Sequence, residues 1–113
     1  MKEKFQVQLS SEVREFIGSL DEKTRDKILY NIRKAQLIND QELFKKLTNG
    51  IWEFRTLFNK TNYRIFAFWD KSGSVDTLVL TTHGIIKKTG KTPQIDLDKA
   101  ERIRKIYFEQ KTN

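Results

Sequence analysis

From Phe5 to Leu9 apolar and polar residues alternate, the period of a half-buried strand, and Ser10-Ser11-Glu12 follow with hydroxyls placed to cap a helix. Val13, Phe16, Ile17 and Leu20 then recur at i, i+3, i+4 and i+7, a single apolar stripe on a short helix. Asp21 is positioned to cap a second helix that runs to about Ile38. Its stripe, Ile28, Leu29, Ile32 and Ala35, is flanked by Lys23, Arg25, Lys27, Arg33 and Lys34. Two helices joined this tightly are expected to pack as an antiparallel hairpin.

The period changes at Ile51. Ile51 to Phe58, Asn62 to Trp69 and Val75 to Thr82 are strand-like runs rich in aromatic and β-branched residues. Asn59-Lys60-Thr61 and Lys71-Ser72-Gly73-Ser74 are turns short enough for hairpins, which predicts an antiparallel meander. Asp96 can cap a last helix with Leu97, Ala100, Ile103 and Tyr107 inward and Lys99, Arg102 and Lys105 outward. The pattern predicts one α+β domain over residues 1–113: a small antiparallel sheet, an N-terminal helical hairpin packed on it, and a C-terminal helix.

Composition narrows the chemistry. A chain of 113 residues buries roughly 65% of its unfolded surface around a single core. It has no run of apolar residues long enough to span a membrane and no hydrophobic signal segment after Met1, so a cytoplasmic location is expected. The absence of cysteine removes disulfides, thiolate nucleophiles and zinc-thiolate sites, and a single histidine removes histidine-rich metal sites; no metal and no cofactor is expected.

Charge is unevenly placed. The first 43 residues hold eight basic and eight acidic side chains, so the whole net charge of +7 belongs to the remainder, which favours an anionic partner for that half. Within it, Arg55 and Arg64 interrupt otherwise apolar strands. Each guanidinium either pairs with Glu53 or Asp70 at the sheet rim or offers a planar fork to phosphate oxygens. Strand register decides whether they cooperate. A three-residue loop opposing Phe58 to Asn62 places them on opposite faces, whereas a two-residue or four-residue loop places both on one face, and the sequence leaves the choice open.

The stretch Thr82 to Pro93 contains the only histidine and the only proline of the chain, two glycines, three lysines and no acid. Glycines there let a backbone approach a ligand closely. Because strand ends of an antiparallel sheet lie together, His83, Lys87, Lys88 and Lys91 are candidates to converge with Arg55 and Arg64. Carboxylates are scarce: Glu53 is the only acid between Glu42 and Asp70, and none occurs from Thr77 to Ile95. Two-carboxylate hydrolysis and magnesium-dependent phosphoryl transfer fit poorly. RNA cleavage by its own 2′-hydroxyl fits better, since it needs a base, an acid and positive charge on the phosphorane. A lysine crowded by other cations can supply one proton-transfer group, because their charge lowers its pKa. Tyr63 is a candidate for stacking or proton donation, weighed against a buried sheet tyrosine.

The run Leu-Thr-Asn-Gly-Ile-Trp-Glu-Phe-Arg, then Tyr-Arg-Ile-Phe, then His-Gly-Ile-Ile-Lys-Lys-Thr-Gly-Lys-Thr-Pro, with Ala100-Glu101-Arg102 in a closing helix, resembles the phage-derived HigB-like branch of the RelE/ParE toxin superfamily. The resemblance covers about residues 44–108. It implies a toxin of a type II toxin–antitoxin pair, an mRNA interferase that enters the ribosomal A site and cuts messenger RNA there. It also implies an antitoxin, a helix-turn-helix protein from an adjacent gene, that covers the basic site. Arg55 and Arg64 match the family's phosphate-binding or catalytic basic positions, and His83 with Lys87 and Lys88 match its catalytic region, which makes His83 the first choice for proton transfer. Lys91, Lys60, Lys45, Lys46 and Tyr63 complete the expected RNA contact. Two departures stand out: Glu53 occupies a position that is basic in RelE-type members, and Tyr107, where they use a late tyrosine, falls on a core stripe. The alternatives are a ParE-like gyrase inhibitor without catalysis and a plain basic nucleic-acid-binding module.

Overall fold

The structure, a computed structural model, describes residues 2–73, 77–87 and 91–111. Its elements run β1 (Gln6–Gln8), α1 (Ser11–Gly18), α2 (Glu22–Leu37), β2 (Phe44–Lys46), β3 (Trp52–Phe58), β4 (Thr61–Asp70), β5 (Leu78–Lys87) and α3 (Gln94–Lys111). The strands form one sheet in the order β1-β5-β4-β3-β2.

The α+β class holds, and the sheet corrects the expectation in three ways. It is mixed, because β1 pairs parallel with β5 while the other pairings are antiparallel. It gains an edge strand, β2, which hid in sequence as a three-residue segment with two lysines. Finally, β5 continues through His83 and Gly84 to Lys87, so these residues belong to the strand and not to a loop beyond it. The expected start of that strand at Val75 lies outside the described residues.

The helices cover both faces. Phe54, Ile65, Ala67 and Val79 on one face pack with Val13 and Ile17 of α1 and Ile28, Ile32 and Ala35 of α2. On the other face Phe66, Phe68 and Leu80 pack with Ala100 of α3, flanked by Leu97, Ile103, Tyr107 and Phe108. Fully burying one such side chain contributes roughly 2 kcal/mol. The expected hairpin is loose: α1 lies mainly on β5 and α2 mainly on β3, with little contact between them. Leu29, assigned to the α2 stripe, is exposed. Buried polar residues take over instead: Asn31 Nδ2 donates to Thr56 Oγ1 at 3.1 Å, and Gln36 Nε2 donates to the Phe5 carbonyl at 3.0 Å.

Ser10 ties α1 to the sheet. Its hydroxyl accepts from the Val13 N–H as a helix cap and donates to the Thr82 carbonyl, while its own N–H donates to Thr81 Oγ1. Gly84 has a packing role in place of the expected approach to a ligand: a Cβ there would sit 2.4–2.9 Å from the Phe16 ring of α1. Gly84→Ala is therefore expected to destabilise the fold by about 1–3 kcal/mol, and Phe16→Leu in the same chain to recover part of the loss, measured by urea unfolding.

Helix α3 begins before Asp96, with the Pro93 carbonyl accepting from the Asp96 and Leu97 N–H groups. Its far end is anchored by buried Asp70, whose carboxylate accepts from Tyr107 Oη at 2.6 Å, Lys111 Nζ at 2.5 Å and Ser72 Oγ at 2.5 Å. Lys111 first, then Ser72 and Tyr107, hold the Asp70 carboxyl well below its ordinary 3.8. Because the folded value lies below the unfolded one, this stabilisation is complete above about 3.8 and is lost as pH falls further. Asp70→Asn is expected to lower the melting temperature at neutral pH and to flatten the acid limb of stability against pH, followed by thermal melts.

Candidate functional site

The hairpin between β3 and β4 sets the site. Asn59 and Lys60 both take left-handed backbone conformations, φ 50° and 62°, and form a two-residue turn closed by Phe58 opposite Thr61. That register places Arg55 directly opposite Arg64 and resolves the open choice in favour of one shared face. It is the face that α3 covers. Along it α3 runs from Asp70 at its C-terminal end to His83 and Asp96 at its N-terminal end. Beyond that point the same face carries Arg55, partly exposed, and Glu53, Arg64 and Lys87, all buried.

There a cleft of about 280 Å³ opens, lined by Lys45, Glu53, Arg55, Lys87, Lys91, Thr92 and Leu97 among others. Lys45 reaches it because it pairs with Glu53 across β2 and β3, and Lys87 because it pairs with Asn62, on the Arg64 side of β4. Like charges opposite each other in a sheet repel. Glu53 relieves this: its Oε2 lies 3.6 Å from Arg55 Nε and its Oε1 3.5 Å from Arg64 Nε. These are ion pairs without hydrogen-bond geometry, and Glu53 Oε1, Arg55 Nε and Arg64 Nε all stay buried without a hydrogen-bond partner among the described residues. Buried charged groups held in ion pairs with individual atoms left without a hydrogen bond are costly for stability and suited to a charged ligand.

Lys87 is 8% exposed, and among the described residues no carboxylate lies within ion-pair distance of its ammonium. Burial first and the Arg64 charge next pull its pKa below the ordinary 10.5. Arg64 is also lowered by burial, with Glu53 opposing. The cleft thus holds a lysine whose pKa is lowered by burial and neighbouring cations, on the same sheet face as the Glu53 carboxylate.

The structure brings Arg55, Arg64, Lys87, Lys45 and Lys91 together and leaves the other sequence candidates elsewhere. His83 is 2% exposed, stacked on Phe66 at 4.8 Å between centroids, with Nδ1 3.0 Å from Thr82 Oγ1 and Nε2 3.0 Å from Asp96 Oδ1. Burial depresses its pKa, with the Asp96 hydrogen bond opposing, and the ring joins β5 to α3 with both nitrogens within hydrogen-bond distance of a partner. Tyr63 pairs with Thr56 and packs on the α1–α2 face. Lys60 occupies the hairpin turn, and Lys46, opposite Trp52, points to the other side of the edge strand from Lys45. Lys88 lies outside the described residues. Tyr107 is held on Asp70, far along α3 from the cleft.

Glu53 is the functional candidate that sequence reasoning undervalued. Its signal was present as a lone acid two positions before Arg55, where alternation puts both on one face. Among the described residues no helix is long and apolar enough to cross a membrane. None of the curated proteins matches the chain. A family model described as "Phage derived protein Gp49-like" matches residues 15–105.

Proposed function

The chain belongs to the Gp49-like family of phage-derived proteins, a family associated with RelE-like toxins, and from that premise we propose that it is a HigB-like toxin that cleaves messenger RNA on the ribosome. The observation that carries this reading is the cross-strand pair Arg55 and Arg64 on the same sheet face as buried Lys87, at the cleft. Arg55 and Lys87 line the cleft and Arg64 stands opposite Arg55 on the same face, so three cations are available to one phosphate.

In this reading Arg55 and Arg64 hold the non-bridging oxygens of the scissile phosphate and stabilise the added charge of the phosphorane. Glu53 takes the proton of the attacking 2′-hydroxyl. As the 2′-oxygen bonds to phosphorus, the bond to the 5′-oxygen breaks, and Lys87 donates the proton that this leaving group needs. The products are a 2′,3′-cyclic phosphate and a 5′-hydroxyl, with no water consumed in the step. Lys45 and Lys91 extend the positive surface along the strand. His83, already hydrogen-bonded on both nitrogens, acts as a positioning residue for the β5–α3 junction rather than as the proton carrier. The ribosome supplies an extended message in the decoding site, and an antitoxin would silence the protein by covering the cleft.

A gyrase inhibitor is the competing outcome. The test adds purified protein to a translation reaction and, in parallel, to DNA gyrase with relaxed plasmid. Truncated message with unimpaired supercoiling supports the ribonuclease. Intact message with blocked supercoiling would replace it by the inhibitor.

A further inference from the structure

The two lysines of the edge strand β2 face opposite sides. Lys45 pairs with Glu53 and lines the cleft described above, whereas Lys46 pairs with Trp52 and lines a second groove of about 310 Å³. Trp52 and Trp69 form part of its wall, both half-buried, with ring centroids 5.5 Å apart and planes at 74°. Around them stand Lys46, Lys71, Arg104 and the amide of Asn49, with no carboxylate in the lining among the described residues. Lys71 Nζ lies 5.2 Å from the Trp69 ring centre. Arg104 pairs with Glu101 at 3.0 Å outside the groove, and its guanidinium crosses Gly50, where a Cβ would come within 3.0 Å.

From this arrangement we infer that the groove is a second RNA-binding site, in which a nucleobase stacks against an indole while Lys46, Lys71 and Arg104 neutralise the neighbouring phosphates. The inference rests on the RNA reading of the first cleft and deepens it. Single-stranded nucleic acid offers what this surface asks for, a π-face alternating with an anion, and stacking on aromatic side chains together with flanking cations is the sequence-tolerant way to hold it. An acidic peptide would satisfy the cations and leave the indoles unused. Lys45 and Lys46 are consecutive on one short edge strand, so an RNA a few nucleotides long passing over that edge touches both sites. The groove then serves to hold the strand on one side of β2 while the cleft acts on the other.

The test is direct because Trp52 and Trp69 are the only tryptophans of the chain and both stand in the wall of this groove, so tryptophan emission excited at about 295 nm, where tyrosine scarcely absorbs, comes from these two indoles alone, and the lysine variant ties a change in it to this groove. The probe is a short 2′-O-methyl oligoribonucleotide, whose blocked 2′-hydroxyl prevents cleavage. The expected result is saturable quenching by the oligonucleotide, weakened by salt, with affinity reduced about tenfold or more in a Lys46→Ala, Lys71→Ala double variant. Both lysines are exposed, and a matching thermal melt shows that the variant is folded. Absence of quenching, quenching unchanged in the double variant, or quenching by polyglutamate but not by the oligonucleotide would overturn the inference. Cleavage on ribosomes is read separately. Cleavage by a native chain that shows no quenching overturns the groove and leaves the ribonuclease standing. Quenching by a native chain that cuts no message does the reverse.

Discussion

Lys87→Ala is expected to reduce RNA cleavage on ribosomes by about 10²- to 10³-fold, the effect of removing one proton-transfer group that is also a charge on the phosphorane. The variant keeps the fold, because Lys87 ends β5, carries no ion pair among the described residues, and its buried charge costs stability rather than adding to it. The pH dependence separates its two roles. As an acid Lys87 must be protonated, and burial beside Arg64 lowers its pKa from the ordinary 10.5, so cleavage declines with rising pH at a lower value than an exposed lysine would give. Lys87→Arg preserves positive charge and cannot titrate. It is expected to recover message binding but little cleavage, and to lose that alkaline limb. Single-turnover cleavage across pH, native against arginine variant, checks both points. Full activity in Lys87→Arg would show that only the charge matters.

Glu53→Gln carries the second large effect, and it is expected in two observables at once. Removing the proton acceptor lowers cleavage by about 10²- to 10⁴-fold. Removing the carboxylate that pairs with both Arg55 and Arg64 among the described residues leaves two guanidiniums opposite each other in a largely buried site, at a cost of about 3–5 kcal/mol by the usual penalty for breaking a buried ion pair. Denaturant unfolding measures the second quantity. Glu53→Asp distinguishes them: it keeps the charge and recovers much of the stability, yet withdraws the carboxylate by one methylene and leaves cleavage impaired. An RNA oligonucleotide should raise the melting temperature of Glu53→Gln more than that of the native chain, because phosphate then replaces the missing anion.

The element order, β2 apart, was legible because periodicity switches sharply at Ile51, from helical stripes to alternation, and short polar segments mark most of the boundaries. Register was not legible. The turn uses Asn59 and Lys60 in left-handed conformations with no glycine to announce them, so the residue pair that closes it was decided by the pairing of the strands around it. The parallel pairing of β1 is equally a tertiary choice, since three residues carry too little pattern to name a partner and the Ser10 contacts to Thr81 and Thr82 supply it. Arg55, Arg64 and Lys87 could be singled out from their residue types in an apolar context. The placement of His83 could not, because it depends on Asp96, thirteen residues away, reaching back across the sheet. Gly84 shows the same limit: its residue type signalled a close approach, and the approaching group proved to be Phe16 of the same chain.

The central claim is that the cleft activates the 2′-hydroxyl of messenger RNA, and the most direct measurement compares two messages on programmed ribosomes. One is all-ribose; the other carries a single 2′-deoxynucleotide on the 5′ side of the bond that the native protein cuts. New 5′ ends are mapped by primer extension, with Arg64→Ala as the control that retains Glu53 and Lys87. The account predicts cleavage of the all-ribose message, survival of the deoxy-substituted bond, and no cleavage of either by Arg64→Ala. Cleavage at the deoxy-substituted position would contradict it, since the nucleophile would then come from water or the protein.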